Sequence, residues 1–315
     1  MIQVLANSLV PIFVGLLFGY AAGLFKVVDN KDVKSLVSFL MTFALPCSLF
    51  VTIARTRRQL LWEQAEAAVA LAVVYVAVFV ATYYVSRNLA KDTAANSAVL
   101  ALTLGFPNHA GVGIPLLLAV YGPEASVSVA VGLAVGAITI TPITLTILES
   151  GTSASRTLSP VARIRISLWR ALKKPVFWAP VLGVLASAVK FDMPIYLDKS
   201  LTILGGATEG TALFVTGLMV SAQRFNLKLS VGWAVLAKNV IQPALCLAVA
   251  LLLRMPLEQT RFAVLLSAIP SGFFGILFGK GFDATPEAAS SSLIATTVLS
   301  IFTLAGWIVL LGHLR

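Results

Sequence analysis

Ten residues, Phe106-Pro107-Asn108-His109-Ala110-Gly111-Val112-Gly113-Ile114-Pro115, place two prolines, two glycines, an asparagine and a histidine inside an otherwise apolar stretch. Proline removes an amide donor and glycine weakens a helix. The pattern therefore predicts a helix that unwinds in mid-crossing, with Pro115 opening the next half-helix, where its missing donor costs little. A second stretch, Ile269-Pro270-Ser271-Gly272-Phe273-Phe274-Gly275-Ile276, matches it: Pro107 aligns with Pro270, and Gly113-Ile114 with Gly275-Ile276 after a one-residue gap. Half-helices present unpaired amides and a partial positive charge at their N-termini. Two such ends, near 111–115 and 272–276, meeting from opposite sides, would cradle a carboxylate. Asn108 and Ser271 would add neutral hydrogen bonds. The plainer alternative is a pair of proline kinks used for packing. The candidate substrate-binding residues are thus Asn108, His109, Gly111, Gly113, Pro115, Pro270, Ser271, Gly272 and Phe273.

Lys238 joins this set. It lies in Ala237-Lys238-Asn239-Val240-Ile241-Gln242-Pro243, where a charge in lipid is costly. It is either a counter-charge near a substrate, a cation replacing a bound ion, or a side chain that snorkels to the nearer interface. Gln242, one turn on, shares its face. Glu209, in a glycine- and threonine-rich stretch, is a candidate carrier of a coupling proton, a neutral buried acid or a partner of Lys238. His109 titrates near neutral pH when unperturbed, so it is either a proton relay or a hydrogen-bonded structural group. Glu209, His109 and Gln242 are the coupling-ion candidates. No cofactor and no metal site are expected: Cys47, Cys246, His109 and His313 are scattered. Protons or sodium are the ions that could couple, sodium through oxygens around an unwound crossing.

The elements that must position these residues follow from composition. Of 315 residues, 58% are hydrophobic and 11% charged, against roughly 25% charged in soluble domains. Mean hydropathy is +0.94. This is an all-α polytopic membrane protein, since the apolar segments run about 20 residues without the alternation of a barrel strand. The net charge of +10 fits cytoplasmic loops rather than nucleic-acid binding. Residues 1–6 lack the basic run that opens a secretory signal, so none is expected. An intramembrane enzyme would need a nucleophile and base or a metal cluster at depth; one histidine and no aspartate in the span interiors argue against it.

About ten spans emerge, at 7–25, 35–54, 67–86, 94–120, 126–148, 175–190, 200–221, 230–253, 262–280 and 288–311. Lys and Arg number eight on the N-terminal side and fourteen on the other, which puts both termini outside the cytoplasm. The halves repeat. Pro11-Ile12-Phe13 with Gly19 recurs as Pro175-Val176-Phe177 with Gly183, Lys34-Ser35-Leu36 as Lys199-Ser200-Leu201, and Ala98-Val99-Leu100 as Ala263-Val264-Leu265, at offsets of 164 or 165. Five spans per repeat make the repeat inverted, a signature of secondary transporters, and a broken span at the same place in each half points to the transport site. Residues 1–148 and 175–315 are the two repeats. The linker 149–174 alternates Arg163, Arg165, Arg170, Lys173 and Lys174 with apolar residues, as either an interfacial helix on anionic lipid or a solvated basic loop. Gly15, Gly19 and Gly23 form a close-packing face, for use within the chain or between two copies.

These residues carry a resemblance. Asn108 to Pro115 followed by Tyr121-Gly122, Phe43-Ala44-Leu45-Pro46, Lys238 to Pro243 and the basic central loop resemble the auxin efflux carrier family. Leu168 to Pro175 with Trp178 and Pro180, and Ser271 to Gly279, are similar to its bacterial malonate-transporter branch. The resemblance implies a fold shared with bile-acid and sodium/proton transporters. Spans 1, 2, 6 and 7 would form a scaffold and spans 3–5 and 8–10 a moving transport domain, with crossed broken helices 4 and 9 and the site at the crossing between the domains. It also implies that members can be homodimers, that the location is the inner (plasma) membrane, and that Asn108 matches the asparagine contacting a carboxylate in plant members. The long plant central loop is absent, and the second crossing has no asparagine. The expectation is a secondary carrier, not an enzyme. It would move a small carboxylate, malonate or a similar short one, by elevator-like alternating access. The alternative is an exporter of aromatic carboxylates that stack on Phe273 and Phe274.

Overall fold

The computed structural model describes all residues except 1, 30–32, 56–57, 123–124, 151–158, 160–161, 163–164, 167–168, 170–172, 174, 223–225, 227 and 315. For some others, Glu209 and Lys280 among them, it describes the backbone alone. Most of the 149–174 linker therefore lies outside the described residues.

Among the described residues every regular element is a helix. In order they are α1 (Ile2–Leu24), α2 (Val33–Ala54), α3 (Arg58–Tyr84, continued by a π turn Val85–Leu89), α4 (Ala94–Gly105) and α5 (His109–Tyr121). Then come α6 (Ser126–Ile138), α7 (Ile140–Ser150), α8 (Pro175–Ala188), α9 (Ile195–Ser221), α10 (Leu229–Leu252), α11 (Leu257–Ala268), α12 (Phe274–Lys280) and α13 (Glu287–His313). Six stretches among the described residues are long and apolar enough to cross a membrane: Val33–Ala54, Gln64–Leu89, Val127–Glu149, Ile195–Ser221, Leu229–Leu252 and Glu287–His313. Shorter apolar helices include Leu9–Leu24, Ala94–Gly105 and His109–Tyr121, the last two on either side of Pro107 in the sequence.

Among the described residues, three helices contain a π turn just ahead of a proline. Leu40–Ala44 precedes Pro46, His109–Gly113 precedes Pro115, and Ala237–Ile241 precedes Pro243. A proline ring clashes with the carbonyl four residues back and offers no N–H. Widening the turn by one residue relieves both problems without ending the helix.

The chain forms two compact units. The first comprises residues 1–68, 109–134 and 172–222. Here α9 lies along α1 and against α2, and α8 packs on α2. Glycines set the closeness: a Cβ on Gly19 would run into the Phe214 carbonyl and one on Gly217 into the Leu16 carbonyl, while Gly183 faces Ile53 and the Phe50 carbonyl. The small-residue face of α1 is thus filled within the chain. The second unit comprises residues 69–108, 135–171 and 223–315. In it α12 and α7 pack on α4, α10 on α11 and α13, and α13 on α4 and α11.

Helix ends are marked by cations in left-handed backbone: Lys26 (φ 56°), Lys91 (58°), Lys190 (53°) and Arg254 (54°). The following amide reaches back to close each end, as in Val27 N–H to Ala22 O at 2.9 Å and Phe191 N–H to Ala186 O at 2.8 Å. The strained φ costs a non-glycine residue about 1 kcal/mol, and a cation beside the last carbonyls offsets part of it. Positions 26 and 190 lie 164 residues apart and 91 and 254 lie 163 apart, close to the spacing at which the sequence motifs recur.

Candidate functional site: two helix breaks joined through their backbones

α4 and α11 stop for the same reason. The residue before a proline is pushed out of helical backbone into an extended one. Phe106, before Pro107, sits at φ −105°, ψ 102°; Ile269, before Pro270, sits at φ −61°, ψ 153°. The extended residues then pair. Asn108 N–H donates to Pro270 O and Gly272 N–H to Phe106 O, each at 2.9 Å, forming an isolated antiparallel bridge between Pro107 and Ser271. Neither proline needs a donor in this ladder. Gly272 has to be glycine, because a Cβ there would meet the Phe106 carbonyl. All the residues of the pairing are buried, Ser271 completely.

α10 supplies polar side chains to both broken helices. Its π turn and the residue after it carry Lys238, Asn239 and Gln242, all fully buried. Lys238 Nζ donates to the Ser267 carbonyl at 2.7 Å, and Gln242 Nε2 to the Gly105 carbonyl at 3.2 Å. Those acceptors belong to the last turns of α11 and α4, where helices leave carbonyls unpaired and where the dipole favours a cation. Lys238 therefore does not snorkel. Among the described residues it has no carboxylate partner. Gln242 Oε1 and Ser271 Oγ are buried without a hydrogen-bond partner. Ser271 N–H donates to Thr296 Oγ1 at 3.3 Å.

An aromatic cluster backs the break. Phe106 faces Phe274 with ring centroids 5.2 Å apart and Tyr75 at 6.4 Å, and Phe273 faces Phe274 at 5.0 Å. Gly136 leaves room for the Phe106 ring. α12 lies on α4 through Gly275, against Thr103 and the Val99 carbonyl, and Gly279.

The expected residues are thus placed as follows. Asn108, Pro270, Ser271, Gly272, Lys238 and Gln242 come together in the second unit, with Phe273 in its aromatic backing. The amides of Asn108 and Gly272 are engaged by the opposite break. The unwound part of the first break is confined to Phe106–Asn108; helix resumes at His109. Gly111 and Gly113 lie in the π turn, since the wide turn accommodates Pro115 without unwinding the chain. His109 is fully buried and Pro115 half-buried, both in the first unit, where that π turn packs on α9. Glu209 belongs to α9, and its side chain lies outside the described residues. The sequence reading passed over Asn239 and Thr296. Asn239 stands next to Lys238, and Thr296 belongs to a run of hydroxyl residues, Ser290 to Ser300, in the last helix; both are polar residues in apolar spans, the signal that picked out Lys238.

Comparison with known proteins bears on this arrangement. A family model described as membrane transport protein matches residues 4–308. The "Uncharacterized transporter YfdV" of Escherichia coli (strain K12) is 28% identical over 98% of both chains. The "Putative malonate transporter" of Rhizobium meliloti is 25% identical over 97% of this chain and 95% of its own. "Auxin efflux carrier component 8" of Arabidopsis thaliana is 27% identical over 47% of this chain and 43% of its own.

Proposed function

The chain belongs to the membrane transport protein family, that of the auxin efflux carriers, and on that premise we propose that it is a secondary active carrier of small organic anions, with malonate or a similar short carboxylate as cargo. One observation carries the reading: two proline-broken helices joined through their unwound backbones, with the buried Nζ of Lys238 bonded to the last turn of α11. Non-helical backbone inside an apolar span persists only where protein buries it or it lines a cavity. Paired breaks of this kind are how carriers build ion and substrate sites. Lys238 is the local positive charge, Ser271 Oγ is a free hydroxyl, and Asn108 is the amide side chain at the pairing.

A dianion asks for more positive charge than a monoanion does, and Lys238 supplies one unit of it. The relative from Rhizobium meliloti, named for malonate, is in keeping with this choice. An aromatic cargo draws no support from Phe273, which is buried against Phe274, itself packed on Phe106. In this reading the chain has ten spans in two inverted repeats, 1–148 and 175–315. The left-handed cations at 26 and 190 and at 91 and 254 favour such a repeat. The chain lies in the inner membrane with both termini outside the cytoplasm, and the crossing is exposed alternately to the two sides by an elevator-like slide.

The experiment is uptake of radiolabelled malonate into proteoliposomes of the purified protein against empty vesicles. Uptake above the vesicle background, abolished by Asn108→Ala, is expected. Background-level uptake removes malonate as cargo, and undiminished uptake by Asn108→Ala removes the site.

A further inference from the structure

α13 grips the π turn of α10 through three groups on one face. Thr296, Thr303 and Trp307 follow one another at spacings of seven and four residues, which brings them to the same side of the helix. The residue they hold is Asn239, the neighbour of Lys238, and they hold it by its backbone and its side chain. In a regular helix the Asn239 carbonyl takes the amide of residue 243, but residue 243 is proline and has none. Trp307 Nε1, a donor only, stands in for that amide at 2.9 Å. Asn239 Nδ2 donates to the Thr296 carbonyl at 3.0 Å and to Thr303 Oγ1 at 3.3 Å.

The same turn sends Lys238 Nζ to the end of α11 and Gln242 Nε2 to the end of α4. Thr296 reaches further, since its Oγ1 accepts from Ser271 N–H at 3.3 Å. One residue of α13 thereby ties the turn that carries the cation to the second helix break. A wide turn has no fixed place in a helix. Sliding it by one residue rotates the residue it passes by about 100°, which at the radius of a side chain is a movement of about 5 Å or more. For Lys238 such a slide takes Nζ off Ser267 and away from the break.

We propose that Trp307, acting through Asn239, is a positioning residue that sets the charge selectivity of the carrier. Its N–H holds the register of the π turn, and hence the distance from the Lys238 ammonium to the break. The proposal rests on the reading of Lys238 as the counter-charge of the cargo and deepens it. The advantage a unit charge gives a dianion over a monoanion falls with distance, so the place of the ammonium decides how strongly dicarboxylates are preferred. A charge moved from about 10 Å to about 15 Å lowers that preference about 2–3-fold, and one removed altogether lowers it roughly 15-fold.

The test is the ratio of malonate to propionate affinity, measured by calorimetry on the purified full-length protein. Trp307→Phe keeps the packing of an aromatic ring and removes the N–H. It is expected to lower the ratio about 2–3-fold in the wild-type background and to leave it unchanged in the Lys238→Met background, because a residue that acts through another has no effect once that other is gone. Equal weakening of the two acids by Trp307→Phe means general support of the fold and overturns the proposal. So does a change of ratio that is the same with and without Lys238. An unaltered ratio in Lys238→Met alone defeats the counter-charge reading, and this proposal with it; a lowered ratio there with a silent Trp307→Phe defeats the positioning role alone. If gel filtration finds Trp307→Phe unfolded, Thr303→Val, which takes one acceptor from Asn239 at constant shape, is judged by the same two criteria.

Discussion

Replacing Lys238 by methionine removes one positive charge from behind the break while keeping an unbranched side chain of similar size. The ammonium lies 2.7 Å from the Ser267 carbonyl. Ser271 follows four residues later, past the extended Ile269, which puts the charge on the order of 10 Å from the break. At an effective dielectric constant near 20, a unit charge at that separation contributes about 1.7 kcal/mol to binding a monoanion and about twice that for a dianion. The monoanion then loses affinity roughly 15-fold and the dianion roughly 250-fold. Stability should change little, since the loss of one charge-assisted hydrogen bond is countered by the end of the ammonium's desolvation cost. The assay is competition by malonate and by propionate, a monoanion of similar size, for binding to wild type and Lys238→Met, with gel filtration to establish that the variant is folded. The charge reasoning predicts that the dianion suffers by a factor at least ten greater than the monoanion. Equal losses for the two acids, or an unaltered malonate affinity, refute it.

Gly272→Ala should break the join between α4 and α11, because its methyl group meets the Phe106 carbonyl. A loss of about 1–3 kcal/mol in unfolding free energy, together with loss of cargo binding, is expected from denaturation and uptake measured on one preparation; full uptake by this variant contradicts the paired-break geometry. Gly217→Ala pushes a methyl group into the Leu16 carbonyl, whereas Gly206→Ala on the same helix meets nothing within 4 Å. The first should lose about 1–3 kcal/mol and the second should be neutral or slightly stabilising; equal behaviour in a thermal-shift assay denies the close approach of α1 and α9.

The breaks were readable because proline acts on its immediate neighbour: Phe106 and Ile269 are extended for a reason carried by Pro107 and Pro270 alone. Where helix resumes was less readable. The run from Pro107 to Pro115 reads as one unwound stretch, yet a π turn takes up Pro115 and helix begins at His109, and no periodicity announces such a turn. Lys238 and Gln242 were visible as polar residues on one face. Their acceptors, Ser267 and Gly105, are 29 and 137 residues away, and only folding brings them near. The same holds for Gly19, whose spacing demands a closely packed neighbour without naming it. Thr296 passed unnoticed because a threonine in an apolar helix commonly bonds its own backbone, as this one does, and its second contact, with Ser271, comes from another helix.

The reciprocal fit of Gly19 and Gly217 has a consequence for biosynthesis. Phe214 and Gly217 are made about 200 residues after Leu16 and Gly19. At a ribosomal pace of roughly 5–20 residues per second, α1 waits about 10–40 s for them. Throughout that interval its glycine row faces lipid or the insertion machinery, bare of the helix that will cover it. A nascent chain arrested before α9 emerges should therefore hold α1 loosely, open to cysteine cross-linking from other membrane proteins. Arrest a few dozen residues later should close that window.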